Sequence, residues 1–327
     1  MEIMLRAASL AAALLAAALS CAVPAVAQTY PSRTITLIVP FPPGGGNDTI
    51  ARLVAQGLTN ALGQQVVVEN RGGANGVIAM RQAAKAPPDG HTLVFANSSS
   101  TSINIALYSN PGYDVRRDFA PIGNIAQMGI GIVSHPDFPA KSVADLVALA
   151  KQQPGKLSFG TSPPGSGSHL SAELFKATTG IDVTLVPYKG AAALTTDVLG
   201  NHIPVMFSVL PPALGNIQNG KLHVIAVTTP GRMTLLPQSP TVAESGLSGF
   251  AAVLRYGLLA PAGTPRPIID RINAELRKIV GSADMLDRLA KEGSDPVVSS
   301  PEEYAADMVR EDELWGPLIR KLGIKVD

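Results

Sequence analysis

Three stretches of the chain combine stiff and conformationally free residues in a way that suits anion binding. In Pro40-Phe41-Pro42-Pro43-Gly44-Gly45-Gly46-Asn47-Asp48 the prolines stiffen the entry, and the glycines let backbone N–H groups approach a ligand unobstructed. Gly160-Thr161-Ser162-Pro163-Pro164-Gly165-Ser166-Gly167-Ser168-His169 repeats that formula and adds hydroxyls. Val186-Pro187-Tyr188-Lys189-Gly190-Ala191 supplies small residues after a cation, with Tyr188 offering a flat contact, a phenolic hydrogen bond or plain packing. Each stretch runs into a helix-forming segment. A helix N-terminus carries unsatisfied N–H groups and partial positive charge, so an anion is the natural guest. One such loop reads equally well as a turn with an ordinary N-cap. Three of them, spread over two domains, describe a cleft with donors on both walls.

Sharper chemistry does not fit the same residues. A phosphate-binding P-loop needs Gly-Lys-Ser/Thr after the turn, whereas Gly46 is followed by Asn47-Asp48. Gly165-Ser166-Gly167 opens like a dinucleotide fingerprint, but Leu170 stands where the third glycine belongs. No Gly-x-Ser-x-Gly nucleophile elbow is present, and Ser168 beside His169 lacks a third triad member. His91, His135, His169, His202 and His223 show no metal-ligand spacing, and His169 reads as a structural or hydrogen-bonding residue at a helix start. Ligand binding without catalysis, cofactor or metal is the expectation.

The elements that must position these loops alternate along the chain. Thr34–Val39, Gln65–Glu69, Thr92–Ala96, Ile130–Ser134, Leu157–Gly160, Val183–Pro187, Val205–Phe207, Leu222–Thr228 and Tyr256–Ala260 are apolar and β-branched, as buried strands are. Helical spacing marks the segment after Asn47 or Asp48 through Ile50, Leu53, Val54 and Leu58, and then Asn75–Ala84, Val143–Lys151 and His169–Thr179. It returns through Leu194 and Val198, over Pro267–Val280 and over Glu302–Arg320. This βαβ rhythm predicts an α/β fold of doubly wound parallel sheets, with the site at the carboxyl ends of strands.

Composition narrows the setting. Arg6, an Ala/Leu-rich run from Ala7 to Ala22 and Ala25-Val26-Ala27 read as a cleaved signal peptide with Gln28 as the mature N-terminus, although Glu2 weakens the positive region. Lipidation of Cys21, the one cysteine, is disfavoured because Ala18 occupies the position that prefers a large aliphatic residue. Cleavage would leave 300 residues, enough for two domains, and no cysteine for disulfides. A formal charge of +1 with 16% charged residues offers no basic face for nucleic acid or a membrane surface.

Val39-Pro40-Phe41-Pro42-Pro43-Gly44-Gly45-Gly46-Asn47-Asp48-Thr49-Ile50-Ala51-Arg52 resembles the signature of the Bug family, the extracytoplasmic receptors of tripartite tricarboxylate transporters. Glu69-Asn70-Arg71-Gly72-Gly73-Ala74-Asn75-Gly76, Val186–Gly190, Pro240–Gly246 and Leu259–Pro265 match in the same order, so the resemblance covers essentially the whole mature chain. It implies a two-domain, type II-like periplasmic-binding-protein fold that closes on a small carboxylate: a di- or tricarboxylate, an acidic amino acid or an aromatic acid. By the family pattern, residues 28–127 and 252–327 form domain one and 128–251 domain two. The crossings fall near Ile125–Gly129 and Ala252–Tyr256, and Glu302–Arg320 with Trp315 pack on domain one. The implied contacts are Phe41, Gly44, Gly45 and Asp48, then Asn97 and Ser98, then Thr161, Ser162, Ser166, Gly167, Ser168 and His169. Tyr188, Lys189, Gly190, Ala191, Phe207, Ser208 and Arg255 complete the set. The implied setting is a periplasmic monomer delivering its ligand to an inner-membrane permease.

Two departures from the family pattern stand out. Ser208 occupies a position that usually carries an acid, and Arg255 one that usually carries tryptophan. Both changes make the cleft more positive, so a ligand with a second acidic group paired to Arg255 is expected, with a solvent-facing Arg255 as the alternative. Presentation of bound ligand to a membrane sensor, or a periplasmic hydrolase, are the competing functional readings.

Overall fold

Residues 30–44 and 46–325 are described in a computed structural model; the expected leader and its cleavage site, Cys21 and Gly45 lie outside them. In chain order the strands are β1 (Ile35–Val39), β2 (Val66–Asn70), β3 (Thr92–Asn97), β4 (Phe119–Gly129), β5 (Gly131–Ser134) and β6 (Ser158–Thr161). They continue as β7 (Thr184–Pro187), β8 (Val205–Ser208), β9 (His223–Val227), β10 (Val253–Pro261) and β11 (Ser294–Pro296). The helices are α1 (Gly46–Leu62), α2 (Val77–Ala83), α3 (Asn104–Leu107), α4 (Val115–Asp118), α5 (Val143–Gln152) and α6 (Gly167–Thr179). After them come α7 (Ala191–Leu199), α8 (Leu214–Gln218), α9 (Arg266–Val280), α10 (Ala283–Lys291) and α11 (Pro301–Leu322).

The apolar strand segments sort into two sheets. The first has the order β11-β4-β10-β3-β1-β2 and the second β7-β6-β8-β5-β9. Both are mixed, which corrects the expectation of parallel sheets: β10 is antiparallel to β3 and β4, and β5 to β8 and β9. Helices between strands tell that a connection crosses over, but a strand that follows a long excursion can enter in either direction. β4 is absent from the expected strands because its Pro121, Gly123, Asn124 and Gln127 break the β-branched signal.

Helix starts follow from local chemistry. Ser142 and Asp145 close a capping box on α5, and Ser300 and Glu303 do the same on α11. α1 begins at Gly46, so Asp48 sits inside its first turn and is not the cap. The segment read as one helix over Asn75–Ala84 is a 3₁₀ turn with Asn75 at φ 55° followed by α2.

The cores explain the last helix. Its buried positions Tyr304, Met308, Trp315 and Ile319 recur at helical spacing, but they serve different sheets. Tyr304 and Met308 pack with Ile38, Val94 and Leu259 of the first sheet. Trp315, Leu318 and Ile319 pack with Ile132, Phe159, Phe175 and Phe207 around the second. α11 therefore straddles the two: the cluster that holds Trp315 contains Ile103 and Leu107 of residues 28–127 as well as the second sheet's aromatic core. The Trp315 side chain is 1% exposed within that shared cluster.

Candidate ligand-binding site

Strand register brings the loops to one place. Tyr256, in the first half of β10, pairs with Asn97 at the carboxyl end of β3, and Val253, where β10 starts, pairs with Gly129, where β4 ends. The chain thus leaves the first sheet at the edge formed by the carboxyl ends of β1 and β3. It enters the second beside the carboxyl end of β8, because Gly131 pairs with Ser208. The carboxyl edges of both sheets face the same crossing, the arrangement in which α/β proteins bind ligands. Thr228 ties the two crossing segments together. Its hydroxyl accepts from Ile130 N at 2.8 Å and donates to the Ala252 carbonyl at 2.6 Å. Leu254 of the first sheet lies where a Cβ on Gly167 would stand, 2.6 Å away, so the second loop abuts the return strand and needs glycine there.

On the first wall, the loop from Pro40 to Asp48 is held by its own polar groups. Asp48, 5% exposed, accepts from Gly44 N (2.9 Å), Asn70 Nδ2 (2.9 Å) and Arg52 Nε (3.1 Å). Burial alone would raise its pKa, but these hydrogen bonds from Arg52, Gly44 and Asn70 hold it below the ordinary value. Asn70 Nδ2 also reaches the Phe41 carbonyl at 3.2 Å. Gly44 has φ 87°, a backbone conformation that strains any residue with a side chain. Asp48 therefore organises the loop, and a carboxylate with three donors has little left for a ligand. Asn97 accepts from Ser99 N and Ser100 N and donates to Asn47 Oδ1 at 3.1 Å.

The second wall is less committed. Ser166 caps α6 through His169 N, and Ser168 bridges Ser162 N and the Phe207 carbonyl. Thr161 and Ser208 end β6 and β8 with buried hydroxyls that have no hydrogen-bond partner. Such groups are costly unless a water or ligand meets them. Gly190 precedes α7 without any side-chain cap, and Lys189 beside it is exposed. Tyr188 donates its phenol to Asp197 Oδ2 at 2.7 Å; burial and that acceptor push its pKa up to about 12. Burial holds His169 below the ordinary imidazole value, against the opposing charge of Glu173. The Phe207 ring is fully buried, with centroids 5.6 Å from Phe159 and Phe175, so its side chain belongs to the core.

Arg255 does not face solvent, and its guanidinium is paired within the protein. Its NH1 lies 3.1 Å from Glu311 Oε1 and its Nε 3.6 Å from Asp307 Oδ1. Two acids of α11 already match the cation, so a ligand's second acid would have to displace them. Ser98 joins the cluster: its hydroxyl donates to Glu311 Oε1 at 2.7 Å and accepts from Arg255 N at 2.7 Å. Sequence reasoning did not single out Arg52, Asn70, Asp307 or Glu311. The signals exist: Asp48 and Arg52 are spaced i,i+4, and Glu311 is an acid on the apolar stripe that runs through Tyr304, Met308 and Trp315.

Comparison with known proteins agrees with this architecture. Residues 50–324 match the model of the tripartite tricarboxylate transporter family receptor. Protein BugT of Bordetella pertussis is 35% identical over 306 residues, covering 93% of this chain and 94% of BugT. The solved structure of R. palustris Rpa4515 with adipate superposes with TM-score 0.74 at 35% identity, covering 90% of this chain and 99% of the other. MatC (Rpa3494) from Rhodopseudomonas palustris with bound malate gives 0.70 at 29% identity, covering 89% and 100%. The fold is that of the periplasmic solute-binding proteins, and the chain belongs to the tripartite tricarboxylate transporter receptor family, which includes the Bug proteins. Receptors of this family are periplasmic, and among the described residues no helix is long and apolar enough to cross a membrane.

Proposed function

We propose that this protein is an extracytoplasmic receptor that captures a small carboxylate between its two sheets and delivers it to the permease of a tripartite tricarboxylate transporter, without catalysis. The observation that carries this reading is the convergence of both carboxyl edges on one crossing, with an uncapped helix start, Lys189 and two unpartnered buried hydroxyls on the second wall. The adipate and malate bound to its structural relatives support the ligand class. Residues 28–127 with 252–327, and 128–251, act as two domains that close about Ile130 and the Thr228–Ala252 return. Gly44, Thr161, Ser162, Gly167, His169, Lys189, Gly190, Ala191 and Ser208 face the ligand, with Phe41 and Tyr188 as flat walls. Asp48, Asn97, Ser166, Ser168 and Arg255 hold those groups in position, and Ser98 stands between them and α11. The mature protein works as a monomer in the periplasm after cleavage near Ala27.

A thermal-shift screen of carboxylates tests the reading, because a ligand that binds only the native state raises its apparent stability. Malate or adipate should raise the melting temperature and shrink the radius seen by solution scattering. Indifference to a broad carboxylate panel, or sustained release of product from an ester, would sink it.

A further inference from the structure

The buried cluster behind the first wall has a feature that ligand capture alone does not require. Ser98 has one hydroxyl proton, and it is given to Glu311 while the same oxygen accepts from Arg255 N. Ser98 directly follows Asn97, whose side chain touches Asn47 at the start of α1, so this hydroxyl stands between the ligand wall and α11. Glu311 is 4% exposed. The titratable and charged groups around it are Arg255 of β10 and Asp307 and Tyr304 of α11, with Arg310 reaching Asp307 at 2.6 Å. With Glu311 ionised, two carboxylates face two guanidiniums and the cluster is neutral.

We propose that Glu311 is a positioning residue for the ligand site, whose proton decides whether the Ser98 hydroxyl points into α11 or towards the ligand. This rests on the carboxylate-receptor reading above. An ionised Glu311 accepts the Ser98 proton. A protonated Glu311 instead donates to the Ser98 oxygen, which already accepts from Arg255 N. Its own proton is then free to turn about the Cβ–Oγ bond, away from α11 and towards a ligand carboxylate. No heavy atom has to move. The same protonation leaves the cluster with one net positive charge, so the hydroxyl and the field both favour an anion. Burial, outweighing Arg255 and Ser98, pushes the Glu311 pKa up to about 7, which puts the change within reach of ordinary periplasmic conditions.

The test is calorimetric affinity for malate and adipate between pH 6 and 8, a window in which both ligands stay ionised. Wild type should bind roughly tenfold more tightly at pH 6, the worth of one charge-assisted hydrogen bond. Glu311→Gln should keep the tight binding at pH 8, because an amide is neutral and also donates to Ser98. Ser98→Ala should bind weakly at both ends with most of the pH dependence gone. His169 also gains charge towards the acid end, but that part survives in Glu311→Gln and is subtracted by the comparison. A Glu311→Gln profile that parallels wild type overturns the proposal. In ligand-free protein the Glu311 carboxyl carbon, followed by NMR, should titrate near neutrality; a carboxyl still ionised at pH 5 overturns it whether or not any carboxylate binds. Failure of all carboxylates to bind, with Glu311 titrating as expected, would instead count against the receptor reading and remove the ligand end of this proposal with it.

Discussion

On the first wall of the cleft, Asp48, Asn70 and Arg52 bond to one another and to the backbone of the glycine loop, and Ser98, Arg255 and Glu311 do the same one strand further on. On the second wall, Thr161 and Ser208 keep buried hydroxyls without partners, α7 starts uncapped, and Lys189 stands exposed. The loops look alike in sequence, being proline-stiffened and rich in small residues, yet they do different work. One wall is a braced scaffold that presents backbone groups. The other keeps side-chain donors in reserve. A loop's composition tells what it can bind, whereas its hydrogen-bond inventory tells what remains free to bind.

Removing Asp48 from the braced wall should cost stability first, whereas changes on the other wall should cost affinity alone. The largest expected effect is for Asp48→Ala, which removes the acceptor of Gly44 N and one acceptor each of Asn70 Nδ2 and Arg52. A loss of about 3 kcal/mol in urea unfolding is expected, with ligand binding lost as well. Next is the pH dependence set by Glu311. An acid with a native pKa near 7 against 4.5 keeps its proton in the folded state while the unfolded chain has released its own. Stability from this group is therefore full below pH 4.5 and lost as pH rises towards 7, and Glu311→Gln should be more stable than wild type at pH 8 by on the order of 3 kcal/mol. His169 acts in the opposite sense, because its pKa is lowered: its contribution is lost as pH falls below the ordinary imidazole value.

Lys189→Ala should leave unfolding unchanged and weaken carboxylate affinity by about 1 kcal/mol, more at low salt than at high, in calorimetry. The smallest effect sharpens the contrast most. Ser208→Ala removes a buried hydroxyl that has no partner, so the ligand-free protein should gain up to about 1 kcal/mol while binding becomes several-fold weaker. A Ser208→Ala variant that loses stability and keeps its affinity would dissolve the distinction between the walls.

Much of this was readable in advance, and the unread part has physical reasons. β1, α1, β6 and α6 carry their own periodicity and turn chemistry, so the anion-suited loops could be located from local residues alone. β4 could not, because its burial comes from lying between β10 and β11 and not from its composition. The π-helical turn Ser99–Ile103 and β11 lack a strong local pattern, whereas α10 carries one in its Ser282 cap and in Met285 and Leu289 at i,i+4. What Arg255 pairs with within the protein is illegible for a different reason. Its partners lie 52 and 56 residues downstream on α11, and no inspection of its neighbours reveals that its charge is already matched.

The straddling helix has a bearing on how the protein comes into being. Every strand of the second sheet has been made once Val227 has left the ribosome, but the core beneath that sheet lacks Trp315, Leu318 and Ile319 until the final helix arrives. The first sheet waits too, since β10 must slot between β3 and β4. Neither half can reach its native packing during synthesis, so folding is deferred until nearly the whole polypeptide is available. For a receptor that works in the periplasm, as proposed above, such lateness would keep the chain threadable during its passage out of the cytoplasm.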